Sequence, residues 1–133
     1  MERNTHQKKV VLETVNRLKG MHPTADAVYE RVKDMIPSVS RATVYRILNR
    51  FAEKRVIKRI KIPGAADVYD TTLDNHYHLR CNACGRVMDV DIPIIEDLCY
   101  KVNPSAAYVV TGYDIVFSGY CPDCKAVERT VFF

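Results

Sequence analysis

The 133-residue sequence predicts an α+β protein in two parts. Residues 1–72 read as three helices and a basic hairpin, and residues 73–133 as a small strand-rich α/β unit. Three observations carry this expectation. Apolar residues recur at helical spacing in the first part and alternate in the second. Charge divides along the same line: residues 1–62 hold 15 Lys/Arg against 6 Asp/Glu, a net of +9, while residues 63–133 hold 5 against 10, a net of −5. Finally, two CxxC pairs, "CNAC" at 81–84 and "CPDC" at 121–124, fall only in the second part.

Taken in order, residues 7–19 form a helix with Val10, Val11, Val15 and Leu18 on one stripe. "KGMHP" ends it through Gly20 and Pro23. Thr24 caps a second helix, in which Val28, Val32 and Met35 repeat at helical spacing, and Pro37 stops it. Ser40 caps a third helix over 41–55. There Val44, Ile47, Leu48 and Phe51 make the core face, while Arg46, Asn49 and Arg50 fall opposite with Tyr45 on the border. "VIKRIKI" and "ADVYDTT" then read as two short strands around "PGA". Three helices followed by a basic hairpin match a winged helix-turn-helix, a DNA-binding arrangement that sets its third helix in the major groove. Lys58, Arg59 and Lys61 of the wing are placed to bind phosphates, which gives affinity without sequence choice.

Beyond the wing, "NHYHLRC" and "RVMDVDI" read as strands. Pro93 opens a helix with Ile95, Leu98 and Val102 on one side, and Cys99 within it reads as a buried small hydrophobe. "AYVVTGYDIVFSGY" resembles two strands turned near Thr111 and Gly112, and "AVERTVFF" a last strand. A unit this small exposes apolar strand surface and gains by pairing with a copy of itself. No apolar run reaches membrane-spanning length, and the charged start lacks the apolar stretch of a secretory signal. The sequence therefore reads as a soluble, cytoplasmic protein.

The cysteines and histidines divide by chemistry. Cys81, Cys84, Cys121 and Cys124 supply four thiolates, the donor set of a closed tetrahedral Zn²⁺ site, and 36 residues lie between the two pairs. His76 and His78 share a strand face, whereas Cys81 faces the other side. Asp70 has the strand parity of His76, Asp89 lies just past the first knuckle, and His22 sits in the break after the first helix. An imidazole and carboxylate set without sulfur suits Fe²⁺ or Mn²⁺, and Zn²⁺ or Co²⁺ also bind such donors.

Together, "HPTADAVYERV", "SRATVYRILNRF", "NHYHLRCNACG" and "CPDC" resemble the ferric uptake regulator (Fur) family of bacterial metal-dependent repressors, over about residues 7–125. The resemblance implies a winged-helix DNA-binding domain, a C-terminal dimerisation domain, a structural zinc held by four cysteines and a regulatory ion between the domains. It assigns the regulatory ligands to His22, Asp70, His76, His78 and Asp89, and base contacts to Tyr45 and Arg46. Iron-sensing members usually read "HHDH" where this chain has "NHYH", and zinc sensors commonly use a cysteine where Asp70 stands. The His/Asp set, with Asp89 rather than Glu, is most similar to the peroxide-sensing PerR branch. In that branch Fe²⁺ reacts with hydrogen peroxide and a ligating histidine gains oxygen, which makes His22 and His76 the expected targets.

The expected function is therefore a homodimeric repressor of operator DNA, whose ion fixes the angle between the domains. An iron- or manganese-responsive repressor without peroxide chemistry stays open as an alternative. A non-haem iron oxygenase needs only two histidines and a carboxylate, but it leaves the basic helix and wing unexplained, so an enzyme is not expected.

Overall fold

A computed structural model describes residues 2–73, 76–102 and 107–125. The chain divides into two compact units, Met1–Asp74 and Asn75–Phe133. In the first, α1 (Glu2–Arg17), α2 (Ala25–Met35) and α3 (Arg41–Glu53) precede an antiparallel pair, β1 (Lys58–Ile60) and β2 (Val68–Asp70). In the second, β3 (Tyr77–Cys81), β4 (Val87–Val90), α4 (Leu98–Val102) and β5 (Val116–Gly119) form a three-stranded sheet with one short helix.

The predicted apolar stripes build the core of the first unit. Val10, Val11 and Val15 of α1 meet Val28 and Val32 of α2 and Val44, Ile47 and Leu48 of α3, with Ile57 and Tyr69 joining from the wing. Both predicted caps form: Thr24 Oγ1 accepts from the Ala27 N–H at 3.1 Å, and Ser40 Oγ from the Thr43 N–H at 3.1 Å. Each answers a backbone donor that the first helical turn leaves without a partner. The segment before α2 is zipped to the wing, because the Tyr69 N–H donates to the Pro23 carbonyl at 2.8 Å and Thr24 bridges Val68.

In the second unit β3 lies between β4, antiparallel, and β5, parallel. Parallel pairing puts the carboxyl ends of β3 and β5 side by side, with Cys81 in register with Gly119. Tyr77 is buried, and its hydroxyl accepts the Ile95 N–H at 2.7 Å, which ties the segment before α4 to the sheet.

Several expectations are corrected. Helix α1 begins at Glu2 rather than residue 7 and ends at Arg17; its first turns are polar and carry no periodic signal, yet extending a formed helix is favourable. Met35 is exposed, so the α2 stripe stops at Val32. Helix α3 ends at Glu53, since Arg55 takes a left-handed φ of 59°. No helix starts at Pro93: Asp97 has φ 62°, which interrupts a right-handed helix, and α4 begins only after it with no buried residue. Cys99 is half-buried there. Of the two strands expected over 107–120, only β5 forms. The strand expected at 126–133 lies outside the described residues.

Ser40→Ala is expected to destabilise the first unit by about 1 kcal/mol through loss of the α3 cap, and Ser40→Asp to remain near the parent. Urea unfolding followed by helical circular dichroism measures both.

Candidate metal centres and nucleic-acid interface

The sulfur cluster follows from the sheet. β3 ends at Cys81 and β5 ends two residues before Cys121, so parallel pairing delivers both knuckles to one end of the sheet. The first knuckle turns back through Gly85, at φ 79°, whose N–H reaches the Cys81 carbonyl at 2.9 Å. The second closes with the Cys124 N–H on the Cys121 carbonyl at 3.0 Å. All four sulfurs lie within 4.8 Å of one another, and Cys84 Sγ stands 3.8 Å from Cys121 Sγ. A tetrahedral zinc with Zn–S bonds of about 2.3 Å spaces its sulfurs by roughly 3.8 Å, so the cluster fits that ion. Its electrostatics fit as well. The Cys84 N–H, 3.4 Å from Cys81 Sγ, and then the Cys121 N–H hold the Cys81 thiol down to about 6. The neighbouring sulfurs, Cys121 first, push Cys124 up to about 12. Four thiolates cannot coexist at this spacing without a cation to offset their charge.

The sulfur-free donors form two sets, one on each unit. In the first, His22 Nε2 lies 3.5 Å from Asp70 Oδ2, and both side chains are buried. Asp70 closes β2, and its Oδ1 accepts the Thr72 N–H at 3.0 Å, which fixes the carboxylate. His22 sits in the left-handed region at φ 50°, a conformation that costs energy for a residue with a Cβ and is held by the zipped segment around it. In the second unit, Asp89 of β4 lies directly across from His78 of β3. His76 is two residues earlier and shares that face, with its ring 4.4 Å from the ring of His78. Asp89 Oδ1 is 3.0 Å from His76 Nε2 and 3.4 Å from His78 Nε2. Three lone-pair atoms converge there from two paired strands. His78 and Cys81 fall on opposite faces of β3, which separates nitrogen and oxygen donors from sulfur. The parity argument linking Asp70 to His76 does not carry over, since β2 stops at Asp70 and β3 is a separate strand.

On α3, Arg46, Asn49 and Arg50 are exposed and Tyr45 is half-buried. Arg46 and Arg50 border a cavity of about 350 Å³ with Asn4 and Lys8 of α1. Asn4 lies before the predicted start of that helix at residue 7, whereas Lys8 lies within it. Tyr45 donates its hydroxyl to Asp26 of α2, which Arg41 also contacts. Tyr45, more than the Arg41 cation, holds the Asp26 carboxyl below its usual value. On the wing, Arg59 Nε pairs with Asp67 Oδ2 at 2.7 Å and its Nη1 reaches Asn49 Oδ1 at 3.3 Å, while Lys61 is exposed and Lys58 half-buried. Arg59 thus braces the wing against α3.

A basic α3 face beside a wing, together with two chemically distinct metal-donor sets, defines a metal-responsive DNA-binding regulator. The model of the ferric uptake regulator family matches residues 2–117, and the chain belongs to that family. Its relatives are transcriptional regulators and not enzymes. It is 31% identical to the transcriptional regulator FurA of Mycobacterium tuberculosis, over 96% of this chain and 86% of that protein. It is 30% identical to the peroxide operon regulator of Bacillus subtilis, over 96% of this chain and 87% of that protein. Among solved structures, it resembles the iron-containing ferric uptake regulator of Francisella tularensis, with a TM-score of 0.72 and 25% identity over 90% of this chain and 91% of that one. It also resembles the peroxide stress regulator of Campylobacter jejuni, with a TM-score of 0.67 and 26% identity over 92% and 91%. No helix among the described residues is long and apolar enough to cross a membrane.

Cys121→Ser is expected to purify without zinc and to lose the β3–β5 sheet while the helices of the first unit persist. Elemental analysis with limited proteolysis checks both; a variant that keeps zinc and resists proteolysis as the parent does contradicts the cluster's role.

Proposed function

We propose that this chain is a homodimeric, cytoplasmic repressor that binds double-stranded operator DNA when a single Fe²⁺ or Mn²⁺ is held by His22, Asp70, His76, His78 and Asp89. In its iron form it senses hydrogen peroxide through oxidation of His22 or His76. Cys81, Cys84, Cys121 and Cys124 hold a structural Zn²⁺.

The observation that carries the reading is the division of a sulfur-free donor set, two donors on the unit with the basic helix and three on the other. Neither set fills the shell of a six-coordinate ion, and nitrogen and oxygen donors favour iron or manganese over the thiophilic metals. Ligation by both sets ties the orientation of α3 to the second unit. Exposed apolar side chains there, among them Ile94, Tyr100 and Val109, support burial against a second copy. In such a dimer two recognition helices must meet half-sites about 34–36 Å apart. An ion that favours the matching arrangement tightens DNA binding, and DNA tightens ion binding by the same factor. Four cysteines gathered as a metal-donor set and a DNA target support a cytoplasmic location.

On DNA, Tyr45 and Arg46 read base edges, with Asn49 and Arg50 beside them. Lys58 and Lys61 meet phosphates, and Arg59 does so from its braced position. With iron held by these ligands, the ion would supply the electron transfer that activates peroxide. A ring carbon of His22 or His76 then exchanges its C–H for a C–O bond: the ring is oxidised by two electrons, one peroxide oxygen is retained, and the other leaves as water. The altered ring is a poorer ligand, and repression is lifted. The peroxide regulators among the relatives support this reading. The likeness to FurA and to an iron-containing ferric uptake regulator supports a second one, a metal-responsive repressor without peroxide chemistry.

The test starts with a duplex selected from a random library in the presence of Mn²⁺. His22→Ala is expected to abolish Mn²⁺-dependent binding to that duplex while zinc content and melting stay as in the parent; equal affinity of mutant and parent removes the shared-ion reading. Peroxide treatment of the iron form, followed by peptide mass mapping, is expected to add one oxygen to His22 or His76, with none added in the manganese form. No addition in either form selects the second reading. Arg46→Ala is expected to cost about 1–3 kcal/mol on the selected duplex and much less on random DNA.

A further inference from the structure

We propose that Tyr69 is a positioning residue that transmits the state of the His22/Asp70 pair to the DNA-reading helix through the hydrogen bond from its hydroxyl to Asn49. The inference rests on the regulator reading above and adds a route that runs within the first unit.

Tyr69 touches both ends of that route. Its backbone lies on β2 beside Asp70, and its N–H is bonded to the carbonyl of Pro23, the residue after His22, at 2.8 Å. Thr24 pairs with Val68 alongside. The two candidate ligands therefore sit on two zipped segments joined at Tyr69, and ligation that fixes His22 against Asp70 fixes these segments against each other. The other end of Tyr69 reaches α3, where its hydroxyl donates to Asn49 Oδ1 at 3.3 Å. Between the two ends the ring is packed in the helical core, only 4% exposed, so it has little room to absorb a shift by changing rotamer.

The far end of the route has a defined chemistry. Asn49 Oδ1 also receives Arg59 Nη1 at 3.3 Å, and Arg59 is anchored by Asp67 at 2.7 Å. A guanidinium has no acceptor, so the Asn49 atom facing it must be the carbonyl oxygen. The amide nitrogen remains a donor, on a residue of the exposed face that also carries Arg46 and Arg50. One oxygen thus reports on two neighbours, the wing through Arg59 and the ligand-bearing strand through Tyr69.

The experiment uses full-length, zinc-loaded protein and the duplex selected above, with Mn²⁺ as the regulatory ion. Fluorescence anisotropy gives the DNA Kd with and without Mn²⁺, and direct titration gives Mn²⁺ affinity with and without DNA. Tyr69→Phe removes the hydroxyl and keeps the core ring. It is expected to lower the Mn²⁺-dependent gain in DNA affinity roughly three- to tenfold, the range of one net hydrogen bond. The gain in Mn²⁺ affinity on adding DNA should fall by the same factor. Mn²⁺ affinity without DNA, and DNA affinity without Mn²⁺, should stay within about twofold of the parent. In a double-mutant cycle with Asn49→Ala, Tyr69→Phe should lower the gain no further once Asn49 is absent. A full Mn²⁺-dependent gain in Tyr69→Phe overturns the proposal. So does an equal loss with and without Mn²⁺, which marks a merely structural role. A parent whose DNA binding ignores Mn²⁺ overturns the regulator reading, and the relay with it.

Discussion

The pairing of β3 with β5 is the constraint on which the second unit depends. Its described buried apolar residues are Tyr77, Cys81, Val87 and Cys121, so half of that small set is sulfur. Among the described residues, three strands of four or five residues bury little apolar surface to set against the entropy of ordering them. Zinc bound to the four thiolates would add stabilisation, because binding free energy at a site formed only on folding is folding free energy. The parallel register is what makes the site possible. Were β5 antiparallel to β3, its carboxyl end and Cys121 would lie at the opposite end of the sheet from Cys81.

The same sheet then serves a second donor set without mixing the two chemistries. Strand alternation sends His78 and Cys81 to opposite faces, so a thiophilic ion and an iron-like ion meet different ligands although their donors are neighbours in sequence. Asp89 joins the histidines through cross-strand register and not through sequence proximity, which gives the set the rigidity of a paired ladder. In the first unit the equivalent rigidity comes from the clamp of residues 22–24 on β2. There the left-handed backbone of His22 and the Thr72 N–H on Asp70 hold two side chains that sequence places far apart.

Much of this was legible in the sequence, and the misses have physical causes. Helices α2 and α3 were marked by their caps and apolar stripes, and the thiolate set by the CxxC spacing. The start of α1 was hidden because polar residues extend a helix without leaving a period. The helix expected at Pro93 was defeated by the backbone of Asp97, which no side-chain pattern announces. The regulatory ligands were named largely through family resemblance; the parity argument for Asp70 failed because β2 and β3 are separate strands. The partners of Arg59 and Tyr45 could not be foreseen, since Asp67 and Asp26 come from elements whose facing geometry only the fold sets.

The charge division limits what any regulatory ion has to accomplish. With a net of +9 on residues 1–62, attraction to phosphate is present whether or not an ion is bound, and it falls with salt and ignores sequence. Discrimination between sequences therefore rests on the fit of α3 to base edges. The residues there differ in how firmly they are held. Asn49 is held by two donors from two elements, and Tyr45 by a carboxylate on α2, whereas Lys61 simply extends into solvent. Tyr69 joins the strand that carries Asp70 to Asn49 of α3, so the candidate ligand pair and the reading helix are linked within one unit.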